Sequence, residues 1–320
     1  MALVFELGFP LLWLYLGFRL WQKDRWQASL LVAFYFFCLV CEAVAIRFGE
    51  YFYSHHLFEI CPPGPSWREA SLTCPQPDLC LPLGVPCLES ALFFAGWAWA
   101  ARREPSPVLR PLAGAVLAVI ADLIFDPVAA RGQLCGTGEQ WDGIGLWTWL
   151  LDPADPGHYF GIPVDNALAW LASCAGFGWA AIRLPEWKNQ NPAHLSSWGR
   201  AGLAAQVAVV GLVATAFIFF LLDLLVTPPD TTAAYRLPAL FVLLGGLFAW
   251  LLQRALRAKV KLPADPLDRA ASVVLASALL YPLLALIAGY DQADLYPLWA
   301  LAAAALFAYW ASGRSARQRS

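Results

Sequence analysis

Apolar residues run along this chain in unbroken stretches of about 20, the length a helix needs to cross a bilayer's hydrocarbon at about 1.5 Å per residue. Such stretches lie near 3–21, 28–46, 83–101, 111–130, 161–183, 201–226, 236–253, 270–289 and 295–312. They predict an all-α fold, a polytopic membrane helix bundle of about nine transmembrane helices, because backbone in lipid must satisfy its own hydrogen bonds. The first stretch lacks a basic leader and places Glu6 where positive charge would be expected, so it reads as a retained helix and not a cleaved signal. Residues 1–320 then form a single membrane domain. Its two long connections, 47–82 and 131–160, are rich in Pro, Gly, Cys and Trp and are expected to pack together as a cap.

Charge fixes an orientation, since cytoplasmic loops collect Lys and Arg. Alternate connections and the tail hold Lys23 and Arg25, then Arg102, Arg103 and Arg110, then Arg183, Lys188 and Arg200, then Arg254 to Arg269, and finally Arg314 to Arg319. The other side holds only Arg47, Arg68, Arg131 and Arg236. The N-terminus is therefore expected outside, the C-terminus in the cytoplasm and the cap loops on the extracytoplasmic side, as in a multi-pass protein of the cytoplasmic (inner) membrane.

Composition agrees. The chain is 60% hydrophobic and 14% charged, against roughly 45–50% and 25% in soluble proteins. Sixteen Trp suit anchoring at the membrane interface. A net charge of -2 without a basic run excludes a nucleic-acid partner. Cys61, Cys74, Cys80 and Cys87 fall on the outer side and are disulfide candidates, with the pairing left open. Cys135 also lies outside, whereas Cys38, Cys41 and Cys174 read as packing residues within helices. His55, His56 and His158 lack a metal-ligand spacing, and no phosphate or nucleotide motif is present, so neither a metal nor a cofactor is expected.

An ionised side chain at mid-bilayer costs about 2.5–3.5 kcal/mol, so acids within the spans need a partner or a purpose. Glu6, Glu42, Glu89, Asp122, Asp126, Asp165 and Asp223 all map to the outer half. Glu6 and Asp223 read as acids reaching the headgroups, and Asp165 as a first-turn residue favoured by the helix dipole. Asp122 and Asp126, four apart, share one helix face. Two carboxylates this close repel each other, which makes the pair a candidate general acid.

The chain from the fourth span into the fifth reads Asp126-Pro127-Val128-Ala129, Gly145-Leu146-Trp147-Thr148-Trp149, then Tyr159-Phe160-Gly161-Ile162-Pro163-Val164-Asp165-Asn166 and Trp170. In that order these motifs resemble the membrane carotenoid biosynthesis family that includes carotenoid 1,2-hydratases of the bisanhydrobacterioruberin hydratase type. The resemblance covers about 45 residues clearly, with Glu42 and Val85-Pro86 as weaker echoes. It implies an enzyme, a hydro-lyase adding water across the terminal C1=C2 double bond of a linear carotene. Protonation of that bond gives a tertiary cation, which needs an acid, an aromatic wall and one controlled water. Asp122 or Asp126 would supply the proton, and Asn166 or Glu42 would orient the water. Trp147, Trp149, Tyr159, Pro163, Trp170, Glu89 and Asp165 would form the substrate-binding wall, the rings facing the cation.

Two other classes fit the same residues. One is a non-catalytic subunit that binds a linear carotenoid or other isoprenoid, with the Trp-rich cap open to subunits of a membrane complex. The other is a proton-coupled transporter, disfavoured because the acids occupy one side and no inverted repeat is visible.

Overall fold

The computed structural model describes residues 2–48, 51–53, 58–61, 80–101, 104, 106–134, 140–141, 145–151, 158–159, 161–226 and 235–257. Within them lie seven α-helices: α1 (Ala2–Lys23), α2 (Arg25–Phe48), α3 (Gly84–Ala101), α4 (Leu109–Ala129), α5 (Val164–Trp187), α6 (Ser197–Val226) and α7 (Arg236–Arg257). Four of them, α2, α4, α5 and α6, are long and apolar enough to cross a membrane. The protein is a helical membrane protein. The last two expected spans, 270–289 and 295–312, lie outside the described residues, as do Cys74, Cys135, His55 and His56.

Helix ends are set by local chemistry. Asp24 separates α1 from α2, and its carboxylate accepts from the backbone N–H groups of Trp26 (2.9 Å) and Gln27 (3.2 Å), capping α2. Ser196 caps α6 by accepting from Gly199 N–H at 3.1 Å. Helix α4 has Pro127 in its last turn, where the ring removes the N–H that would bond back one turn, and Ala130 is already extended.

The helices pack around α4, whose most apolar stretch is 83% buried, whereas that of α6 is only 11% buried. Helix α6 therefore turns Val209, Val213, Phe217, Phe220 and Leu225 outward, as a lipid-facing helix must. Helices α3 and α4 approach through Gly96 and Gly114. A Cβ on Gly114 would stand 2.9 Å from the Trp97 backbone nitrogen. Beneath the cap, Phe34 of α2 meets Phe93 of α3 and Phe177 of α5, with ring centroids 4.8 and 4.7 Å away.

The described parts of the connections contain eight short strands, which the helix-length apolar pattern does not announce. Strands β1 (Tyr51–Tyr53), β4 (Ala130–Leu134), β5 (Gln140–Trp141) and β6 (Trp147–Leu151) form one sheet in the order β1-β6-β4-β5. The two long connections thus meet edge to edge, β1 running antiparallel to β6 with Tyr51 opposite Trp149 and Tyr53 opposite Trp147. Strand β4 continues directly from α4 and runs parallel to β6. Strands β2 (Glu59–Ile60) and β3 (Leu81–Pro82) pair antiparallel, and the next residues in that register, Cys61 and Cys80, form a disulfide. Strands β7 (His158–Tyr159) and β8 (Ile162–Pro163) make a third ladder leading into α5. Gly161, between them, has φ +78°, and its backbone lies where a Cβ on Gly132 would sit, so two strands cross there at glycine distance.

Cys87 corrects an expectation. It is a free, buried cysteine in the first turn of α3 and takes no part in a bridge, because helix formation from Gly84 onward carries its thiol into the bundle. Glu6, expected among headgroups, is 6% exposed and so faces protein.

Candidate functional site

Alternating helix direction brings the acids together. Glu42 lies near the cap end of α2, Glu89 near the cap start of α3, Asp122 and Asp126 in the last turns of α4, and Asn166 in the first turn of α5. All line one pocket of about 30 Å³ with Tyr51, Tyr53, Phe125, Trp147, Trp149 and Trp170.

Asn166 joins the two aspartates, its Nδ2 donating to Oδ2 of Asp122 at 2.9 Å and of Asp126 at 2.8 Å. The amide thus holds the two carboxyl groups side by side on one face of α4. On the opposite wall Glu42 Oε2 accepts from the hydroxyls of both Tyr51 (2.5 Å) and Tyr53. Burial, followed by the neighbouring Glu42 carboxyl, pushes both phenols well above their ordinary value, so they remain donors. Glu89 meets Glu42 and the Cys38 thiol. Its Oε2 is buried without a hydrogen-bond partner, and Trp149 Nε1 stands beside the Asp126 carboxyl.

A second cavity of about 360 Å³ opens from the same residues. Glu42, Tyr51, Glu89, Trp149, Asn166 and Trp170 border both spaces. Away from the acids its walls are apolar: Phe34, Phe37 and Phe48 of α2, Cys174 of α5 and Phe219 of α6. This is a greasy slot with a polar end, of the size usual for small-molecule sites, about 300–1,000 Å³.

The expected site residues divide into three groups. Asp122, Asp126, Glu42, Glu89, Asn166, Trp147, Trp149 and Trp170 surround the small pocket, and Pro163 and Asp165 line the larger cavity. Trp147 packs on Phe125 and Tyr53 at centroid distances of 6.0 and 5.9 Å. Tyr159 lies outside both linings, buried behind Asn166 and the aspartates. Asp165 is held by Arg236 of α7, which also reaches Asp223 of α6 at 3.6 Å. Asp223 is thus in an ion pair.

Sequence reading overlooked Tyr51, Tyr53 and Arg236. The Tyr-Phe-Tyr alternation was the available signal for the first two, since residues two apart on a strand share a face. Arg236 gave none, being one more Arg beyond a span.

Neither a curated protein nor a solved structure matches the chain. Residues 77–229, which hold Glu89, both aspartates, the Trp-x-Trp strand and Asn166, match the family described as carotenoid biosynthesis protein.

Proposed function

We propose that the protein is a multi-pass enzyme of the cytoplasmic membrane, with nine spans, its N-terminus and cap outside and its C-terminus inside, that adds water across the terminal C1=C2 double bond of a linear carotene. The observation that carries this reading is the apolar slot of about 360 Å³ ending on carboxyl groups walled by indoles and phenols. An isoprenoid end group entering it would leave its polyene among Phe34, Phe37 and Phe219 and bring its last double bond to the acids. The disulfide between Cys61 and Cys80 supports an oxidising compartment for the cap.

In this reading the aspartate pair delivers a proton to C2, and the electron deficit falls on C1 as a tertiary cation. Trp149, Trp170 and Tyr51 border both spaces, where their rings would attract the cation, an attraction strengthened by exclusion of water. Water bonds to C1 and its surplus proton returns to the carboxyl cluster, so the sum is alkene plus water giving tertiary alcohol. No electron acceptor enters. Expression in a lycopene-producing host tests this: the wild-type chain yields a hydroxylated carotenoid and Asp126→Asn does not. Unmodified pigment co-purifying with the wild-type chain would identify a carotenoid-binding subunit instead.

A further inference from the structure

The small pocket holds two pairs of carboxyl groups, built differently. The aspartates on α4 are tied together by the Asn166 amide, which donates to one oxygen of each. The glutamates come from two helices, and only Glu42 is clamped, by hydroxyls from β1. Glu89 is 9% exposed, and its Oε2 has no hydrogen-bond partner although it borders a polar space. Trp149, whose Nε1 stands beside the Asp126 carboxyl, borders the same space. A buried unpaired oxygen costs about 1–3 kcal/mol and persists where a ligand satisfies it. The space, about 30 Å³, exceeds the roughly 10–15 Å³ one water needs and has the polar partners a bound water requires.

We propose that this pocket is the binding site of the reacting water and that Glu89 is its general base, with Tyr51 and Tyr53 acting as positioning residues through Glu42. This division of labour rests on the hydration reading above. The aspartate pair gives a proton to C2. Water, donating to Glu89 Oε2, forms the C1–O bond as its O–H proton passes to Glu89 and the proton that Glu89 shares with Glu42 shifts onto Glu42. The proton taken from water returns to the aspartates across the pocket through the next water to enter. The clamp fixes Glu42 by two hydrogen bonds to a single oxygen, leaving its other oxygen to face Glu89.

The two pairs are separable in deuterium oxide. Membranes carrying the full chain are given lycopene, and both the alcohol and the deuterium in recovered carotene are measured. Glu89→Gln is expected to lower alcohol formation by about 100-fold or more, the usual scale of general-base catalysis. It still protonates C2, so the uncaptured cation loses a proton from C2 or an adjacent methyl and the recovered carotene carries deuterium. Tyr51→Phe is expected to lower alcohol roughly tenfold, with deuterium uptake retained, because one of the two donors to Glu42 is gone. Alcohol formation by Glu89→Gln within about threefold of wild type would overturn the proposal, since removing a general base costs far more than that. Loss of alcohol and deuterium together in a protein that still binds pigment would also overturn it, making Glu89 part of the proton donor. Should Glu89→Gln not accumulate in the membrane, Tyr51→Phe decides by the same split. A wild-type chain that forms neither alcohol nor deuterated carotene refutes the hydration reading itself, and the base assignment falls with it.

Discussion

Replacing Asn166 by leucine keeps the branched outline of the side chain, with somewhat more bulk, and removes the amide that joins the two aspartates. Two hydrogen bonds disappear, of 2.9 and 2.8 Å. Each, made to a carboxyl group, contributes about 1.5–3 kcal/mol. Only the aspartate that gives up its proton gains charge in the transition state. One of the two bonds therefore strengthens there, and its loss raises the barrier by about 2 kcal/mol, roughly 30-fold in rate. The second bond acts mainly on the ground state and appears as stability, about 1 kcal/mol for a residue that remains partly exposed. The assay is single-turnover conversion of lycopene in membranes, quantified as alcohol per mole of folded protein, beside thermal unfolding in detergent. An Asn166→Leu protein that unfolds normally and converts lycopene at the wild-type rate would refute the assignment of the aspartates as a paired acid. Asn166→Asp would add a third carboxyl to the cluster and is expected to be slower still, because like charges in a low dielectric repel.

Elsewhere the structure makes further demands. Arg236→Met leaves Asp165 and Asp223 without their shared cation; both are nearly half-exposed and can hydrate, so the loss of unfolding stability in detergent is limited to about 1 kcal/mol, and Asp165→Asn in the same protein recovers part of it. Gly114→Ala forces a Cβ to 2.9 Å from Trp97 N and should lower the melting temperature through a cost of about 1–3 kcal/mol, while Gly202→Ala, which meets nothing within 4 Å, is neutral or mildly stabilising. The Cys61–Cys80 bridge has a sequence separation of 19, worth about 3 kcal/mol of chain entropy; its reduction is expected to lower the melting temperature in detergent. At the opposite end, Arg254 donates to both oxygens of Glu104 at 2.8 Å and holds its carboxyl below the ordinary value of 4.5. A depressed folded value contributes stability that is present above the unfolded one and is lost as pH falls through the folded one; Glu104→Gln should therefore flatten the loss of melting temperature below about pH 4.5.

Much of the site was legible before any coordinates, and for a physical reason. Lipid allows helices almost alone, so apolar length gives the spans, and a rise of 1.5 Å per residue gives each acid a depth. Glu42, Glu89, Asp122 and Asp126 could be put on one level by counting, and they meet. Glu6 and Asp223 were put on that level too and do not join them, because depth says nothing about which face of a helix looks inward. Hydrophobicity could not supply that: lipid and a packed interior are both apolar, so the central α4 and the peripheral α6 read alike.

Only the tertiary structure decided the rest. A strand of three residues is too short to announce itself by periodicity, yet β1 against β6 sets Tyr51 and Tyr53 opposite Trp149 and Trp147 and aims both hydroxyls at Glu42. The pairing of Cys61 with Cys80 follows from the β2–β3 register, which places them opposite one another, while Cys87 is carried off by α3. Arg236 finds Asp165 across 71 residues because α7 packs on α5. The sequence alone determined where each group falls along its helix, since that position is one-dimensional. Which groups touch was left to the packing of helices around one another, which the hydrophobic pattern does not encode.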